Sequence, residues 1–127
     1  MNIQAPAIRT ADDFLRWNEG REGRREFVGG RIVEMMTGGT KRHARLILRL
    51  ARMLDAALPD SLSVTPADYA VRTPLGIRYQ DVLVEPSDAS ADDSLATDAA
   101  VLIAEILSPS SVATDFGEKA QEYTAID

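Results

Sequence analysis

Two strand-like apolar runs each contain an acidic residue: Asp81 in Tyr79-Gln80-Asp81-Val82-Leu83-Val84, and Glu105 in Val101-Leu102-Ile103-Ala104-Glu105-Ile106-Leu107. A strand buried on both faces reads as continuous hydrophobe, and an ionised carboxylate inside it costs several kcal/mol unless something compensates it. Any fold for this chain must supply that compensation, and two such acids point to a shared cation.

The chain has 127 residues, 45% of them hydrophobic, enough for one ordinary core and too few for two comfortable domains. There is no cysteine, so neither a disulfide framework nor a thiolate metal site can form, and any metal must be held by oxygen or by the single histidine, His43. That composition fits the cytoplasm. The N-terminus lacks a basic start followed by a long apolar stretch, and nowhere do about 18 apolar residues run together, so the chain is expected to be soluble, unprocessed and independent of a membrane. The net charge of −6 is unevenly spread, with 11 Lys+Arg against 7 Asp+Glu over residues 1–58 and 3 against 13 over 59–127. Overall acidity argues against indiscriminate nucleic-acid binding, while the basic half can still meet phosphates and the acidic half can gather cations.

Thr10 and Asp13 form a capping pattern for a short helix that carries Phe14, Leu15 and Trp17 and ends near Gly20. Residues 25–28 and 31–36, separated by Gly29-Gly30, read as a β-hairpin. Apolar residues at Ile47, Leu50, Ala51, Leu54 and Leu58 follow the helical repeat over roughly 41–58, before Pro59. On that helix Arg42, Arg45, Arg49 and Arg52 point away from the apolar side, and His43 points towards it. Residues 62–73 favour extended structure, and the Pro74-Leu75-Gly76 turn leads into the Asp81 strand as a second hairpin. Residues 86–98 read as a surface loop before the Glu105 strand. Ser108-Pro109-Ser110-Ser111 breaks that strand, and Asp115 with Glu118 opens a final helix whose packing face carries Phe116, Lys119, Ala120 and Tyr123. The order gives an α+β fold, a mixed β-sheet flanked by helices. The final helix has no C-terminal cap signal, so the chain is expected to be a fragment of a longer domain or to borrow an element from a partner, as in a homo-oligomer such as a dimer.

Asp81 and Glu105 lie on neighbouring strands and Lys119 on the packing face of the next helix. Two carboxylates can bind Mg2+ or Mn2+ through oxygen and leave sites for water and a phosphate oxygen, and a nearby lysine can orient that water or offset developing negative charge. This is the apparatus of metal-assisted phosphodiester hydrolysis. The alternative is a buried ion pair between Lys119 and one acid, or strand-end acids that reach water. His43 is either a packed histidine or a residue lining the cleft. Glu34 alternates with Ile32 and Met36 and could aim at the core; Glu26 carries less weight. The arginines read as a solvated helix face. Gly38-Gly39-Thr40-Lys41 lacks the spacing of a phosphate-binding loop.

These residues occur in an order that resembles the Uma-type restriction endonuclease family of the PD-(D/E)XK nuclease superfamily. The similar stretches are Arg25 to Met35, His43, Arg78 to Val84, Ala104-Glu105-Ile106-Leu107-Ser108-Pro109-Ser110-Ser111, and Asp115 to Tyr123. The resemblance implies a single restriction-endonuclease-like domain over residues 1–127 that hydrolyses DNA. It implies Asp81 and Glu105 as ligands of Mg2+ or Mn2+, and Lys119 as the motif's lysine relocated to the following helix, since Leu107 stands where that lysine is usually found. His43 would line the cleft. Gln80 stands where the family usually has proline, and Gly29-Gly30 where it commonly has Asp-Gly. The family usually continues into further strands. A nuclease-fold module that binds nucleic acid or a protein without cleaving, and a hydrolase of smaller phosphoesters, are the alternative functions.

Overall fold

The computed structural model describes residues 8–35, 39–107 and 115–126. Helix α1 (Ala11–Asn18) starts with a reciprocal capping box, the Thr10 hydroxyl accepting from the Asp13 N–H at 3.1 Å and the Asp13 carboxylate from the Thr10 N–H at 3.2 Å. Its inner face buries Phe14 and Leu15. Phe14 stacks on Phe27 with ring centroids 5.5 Å apart, and Trp17 extends the cluster under the Arg21 guanidinium, 4.4 Å from its ring.

Strands β1 (Arg24–Val28) and β2 (Arg31–Met35) form the expected hairpin, closed by Gly29 and Gly30 at φ of 57° and 80°, where a side chain would be strained. Helix α2 (Lys41–Ala57) is capped by the Thr40 hydroxyl, which accepts from the His43 N–H at 3.1 Å, so this threonine serves the helix start. Its apolar stripe is the expected one. Ala51 is buried, and Ile47, Leu50, Leu54 and Leu58 are half-buried.

The remaining elements are β3 (Leu62–Pro66), β4 (Ala70–Thr73), β5 (Gly76–Tyr79), β6 (Val82–Pro86), the two-residue β7 (Ala96–Thr97), β8 (Leu102–Ala104) and α3 (Asp115–Thr124). The fold is α+β, as expected, with the described strands divided over two sheets in the orders β2-β1-β5-β4-β7 and β3-β6-β8. Among the described residues only β4 and β7 pair in parallel. Helix α2 packs on β3 and β6, while α1 covers β1. The Ser108–Ser111 break and the approach to α3 lie outside the described residues. Among the described residues no helix is long and apolar enough to cross a membrane.

The second hairpin, β4–β5, is where the sequence places it, but its continuation differs. The run through Asp81 is interrupted: β5 ends at Tyr79 in the larger sheet, β6 starts at Val82 in the smaller one, and Gln80-Asp81 carries the chain between them. The other run forms a strand only over Leu102–Ala104, leaving Glu105 just beyond its end. Neither acid therefore sits within a strand. A carboxylate at a sheet junction or strand end can meet polar groups that a central position denies it.

The larger sheet depends on a close approach at Gly76, which pairs with Val28 across β1–β5. Its φ is 149°, and a Cβ built there would overlap the Phe27 carbonyl oxygen and lie 2.8 Å from the carbonyl carbon. Backbone cannot swing aside as a flexible side chain can. Gly76→Ala is expected to cost at least about 3 kcal/mol through strain and overpacking. Urea denaturation checks this: the midpoint should fall with little change in slope, and an unchanged midpoint would contradict so tight a β1–β5 contact.

Candidate active site

Successive side chains of a strand face opposite ways, so with Phe27 committed to the α1 cluster, Glu26 is turned to the other side of β1. The β1–β5 register pairs Phe27 with Ile77, which brings Glu26 alongside Arg78. Arg78 donates to the Glu26 carboxylate at 3.0 Å and makes a fork of bonds to Glu122 of α3 at 2.8–3.1 Å. The Thr73 hydroxyl also donates to Glu122, and the Tyr79 N–H donates to Glu26 at 2.7 Å. All three charged residues are buried. Burial works against the Arg78 charge, but the bonds to Glu122 and Glu26 outweigh it and hold its pKa above the ordinary value.

This network fixes α3 across the sheet and, with it, Lys119, one helical turn before Glu122. The Lys119 ammonium lies 3.4 Å from Glu105 Oε1 and 3.7 Å from Glu26 Oε2. Tyr123 donates to the same Glu105 oxygen at 3.1 Å. Burial pushes the Glu105 carboxyl above the usual carboxylate range; Lys119 draws it back, and the charge of Asp81 raises it again. Burial, followed by the charge of Glu105, raises the Tyr123 phenol, which stays a neutral donor.

Asp81 and Glu105 flank one antiparallel pair, Val82 with Ala104, so the two acids leave the β6–β8 ladder at the same end. The backbone N–H of Ile106 donates to Asp81 Oδ2 at 2.6 Å. His43, in the first turn of α2, places Nε2 3.6 Å from the same oxygen and 3.0 Å from the Ile106 carbonyl. A carbonyl can only accept, so Nε2 carries a proton in this contact.

The structure thus brings together the four residues expected from sequence, His43 beside Asp81 and Lys119 beside Glu105. Lys119 does form a buried ion pair, but with two acids at once. Glu26 and Glu34 exchange the weights read from their positions in sequence. Glu26 is 1% exposed, whereas the Glu34 side chain is 76% exposed and pairs with Arg25 at 3.3 Å on the surface. Glu122 and Arg78 were also missed. Glu122 had a usable signal, since it lies three residues after Lys119 on the same helical face. Glu26 and Arg78 are matched only by the β1–β5 pairing, which joins distant segments.

Among the described residues, no three His, Asp or Glu side chains are grouped to hold a metal ion. The ion pairs instead link three carboxylates, Glu26, Glu122 and Glu105, with two basic residues, Arg78 and Lys119, while Asp81 meets the Ile106 N–H and the His43 ring. Two cations thus serve three carboxylates, with Lys119 nearer to Glu105 than to Glu26, and the charge of Asp81 acts on Glu105 without either cation paired to it. By contrast Glu85, buried at the other end of β6, is satisfied by the hydroxyls of Ser90 at 2.9 Å and Tyr69 at 3.4 Å.

The family model described as "Putative restriction endonuclease", Uma2, matches residues 11–127. The protein sll1609 of Synechocystis sp., described as uncharacterized, is 29% identical over 141 aligned residues that take in all of this chain and 79% of that protein. No solved structure matches the chain. With the match running from α1 through α3 and the acids, lysine and histidine gathered at one place, the chain belongs to the Uma2 family, within the restriction-endonuclease-like PD-(D/E)XK superfamily.

Proposed function

We propose that this protein is a divalent-metal-dependent endonuclease that hydrolyses DNA phosphodiester bonds at Asp81, Glu105, Lys119 and His43. The observation that carries this reading is the shortage of cations at Asp81 and Glu105, two partly dehydrated carboxylates of which Asp81 pairs with neither Arg78 nor Lys119 and Glu105 shares Lys119 with Glu26. Restriction-endonuclease-like nucleases generally use divalent metals. The donor set fits a hard cation such as Mg2+ or Mn2+, which is commonly held by one or two carboxylates with water and phosphate oxygens completing its shell. Such an ion, when bound, polarises a phosphate oxygen and lowers the pKa of a water.

The chain's own residues supply the rest. The Ile106 N–H fixes one Asp81 oxygen, and Lys119 with Tyr123 fixes one Glu105 oxygen, so both carboxylates are oriented in advance. The Lys119 ammonium orients a water or offsets charge developing on the phosphate. Glu26 holds Lys119 from behind, as a positioning residue. His43 lines the cleft beside Asp81.

With Mg2+ or Mn2+, plasmid DNA is expected to be cleaved. Asp81→Ala and Glu105→Ala should abolish cleavage, and Lys119→Ala should slow it by about 100-fold or more. Wild-type protein that binds DNA without cleaving it would instead identify a binding module, and cleavage restricted to small phosphoesters would move the substrate class.

The raised Glu105 pKa gives a second test, on metal-free protein. Because the folded state holds this proton more tightly than the unfolded state, whose ordinary value is 4.5, stability falls as pH rises from about 4.5 through the raised pKa and stays reduced at neutral pH. Glu105→Gln should therefore raise Tm at pH 7 and flatten that decline. A lower Tm would mark Glu105 as a structural partner of Lys119 instead of a site held ready for a cation.

A further inference from the structure

Helix α2 carries Lys41, Arg42, Arg45, Arg49 and Arg52, all exposed, and none makes an ion pair among the described residues. The chain has 20 Asp+Glu against 14 Lys+Arg, yet this helix has one acid, Asp55, near its C-terminal end. Its first turn has no acid, although Lys41 and Arg42 sit at the positive end of the helix dipole. Lys41 and Arg45, Arg42 and Arg45, Arg45 and Arg49, and Arg49 and Arg52 stand three or four residues apart, the spacing at which like charges on a helix repel. Among the described residues the fold thus concentrates cations where they oppose the helix and offers them no internal counter-charge.

We propose that this face of α2 docks the sugar-phosphate backbone of duplex DNA. The inference rests on the nuclease reading and deepens it by naming where the substrate is held. From Arg42 to Arg52 the helix advances about 15 Å, and a DNA strand places a phosphate about every 3.4 Å of axis, so the row of cations can follow about four phosphates. The row runs along the outer side of the same rigid helix whose inner side carries His43, with its ring 3.6 Å from Asp81, so a backbone held there is fixed relative to the site by α2 itself. Leu46, 45% exposed, shares a shallow groove with Lys41, Arg42, Arg45 and Arg49 and offers an apolar contact to deoxyribose. The linear arrangement and density of charge match a polyanion, and the contacts would be to backbone, giving affinity without sequence preference.

The test is fluorescence anisotropy of a labelled duplex in EDTA across a salt series, so that binding is read without cleavage. Replacing Arg42, Arg45 and Arg49 together by alanine should lower the slope of log affinity against log salt by about 3 and weaken binding at low salt by at least about 100-fold. Arg49→Gln alone should lower the slope by about 1. Tm of the triple variant should equal or exceed that of wild type, since repulsion is relieved. An unchanged slope in both variants overturns the proposal, as does wild-type protein that ignores the duplex and binds polyglutamate. Metal-dependent plasmid cleavage is scored separately: its absence with salt-dependent duplex binding intact faults the nuclease reading alone, and its presence with unchanged slopes faults the docking surface alone.

Discussion

The arrangement of the site depends on Arg78. Its guanidinium joins Glu26 of β1 to Glu122 of α3, and all three are buried. A buried pair is a weak source of net stability, yet removing one partner is strongly destabilising because it strands the others without compensation. Here the geometry that satisfies Arg78 also sets the rotation of α3. Lys119 and Tyr123 are thereby turned onto Glu105, and Glu26 reaches Lys119 as well as Arg78. Structural and chemical roles thus share one chain of contacts, with its fully paired end at Arg78 and its under-compensated end at Asp81 and Glu105.

The junction between the sheets decides where that open end lies. The chain leaves the larger sheet after Tyr79 and enters the smaller one at Val82, and Asp81 occupies the step. Because β6 and β8 are antiparallel, Glu105 leaves β8 at the same end. His43 arrives from a third direction, carried by a helix whose apolar stripe is fixed against β3 and β6. Elements distant in sequence converge because each is held by its own packing, which lets the site keep charges that no local interaction would favour.

Much of this was legible in the sequence wherever the signal was local. The Thr10 cap, the Gly29-Gly30 hairpin, the α2 stripe and the inward placing of Lys119, Ala120 and Tyr123 on α3 each depend on residues within a few positions of one another, and each formed as read, the Phe116 side chain lying outside what is described. Asp81, Glu105, Lys119 and His43 were legible because charged or polar groups on apolar faces stand out. The strand interruption at Gln80-Asp81 was not, since a continuous β-favouring run gives no sign of a change of sheet. Glu26 was underrated for a related reason: an acid in a hairpin is ordinarily exposed, and only its pairing with β5, some fifty residues on, gives it Arg78 as a partner.

The central claim is that Asp81 and Glu105 are left under-compensated so that they can hold a divalent cation. Isothermal titration of metal-free protein with Mn2+ tests it most directly, comparing wild type with the Asp81→Asn/Glu105→Gln double variant. The account predicts one ion bound per chain by wild type and none by the folded double variant. Equal binding by both, or no binding by either, would contradict it.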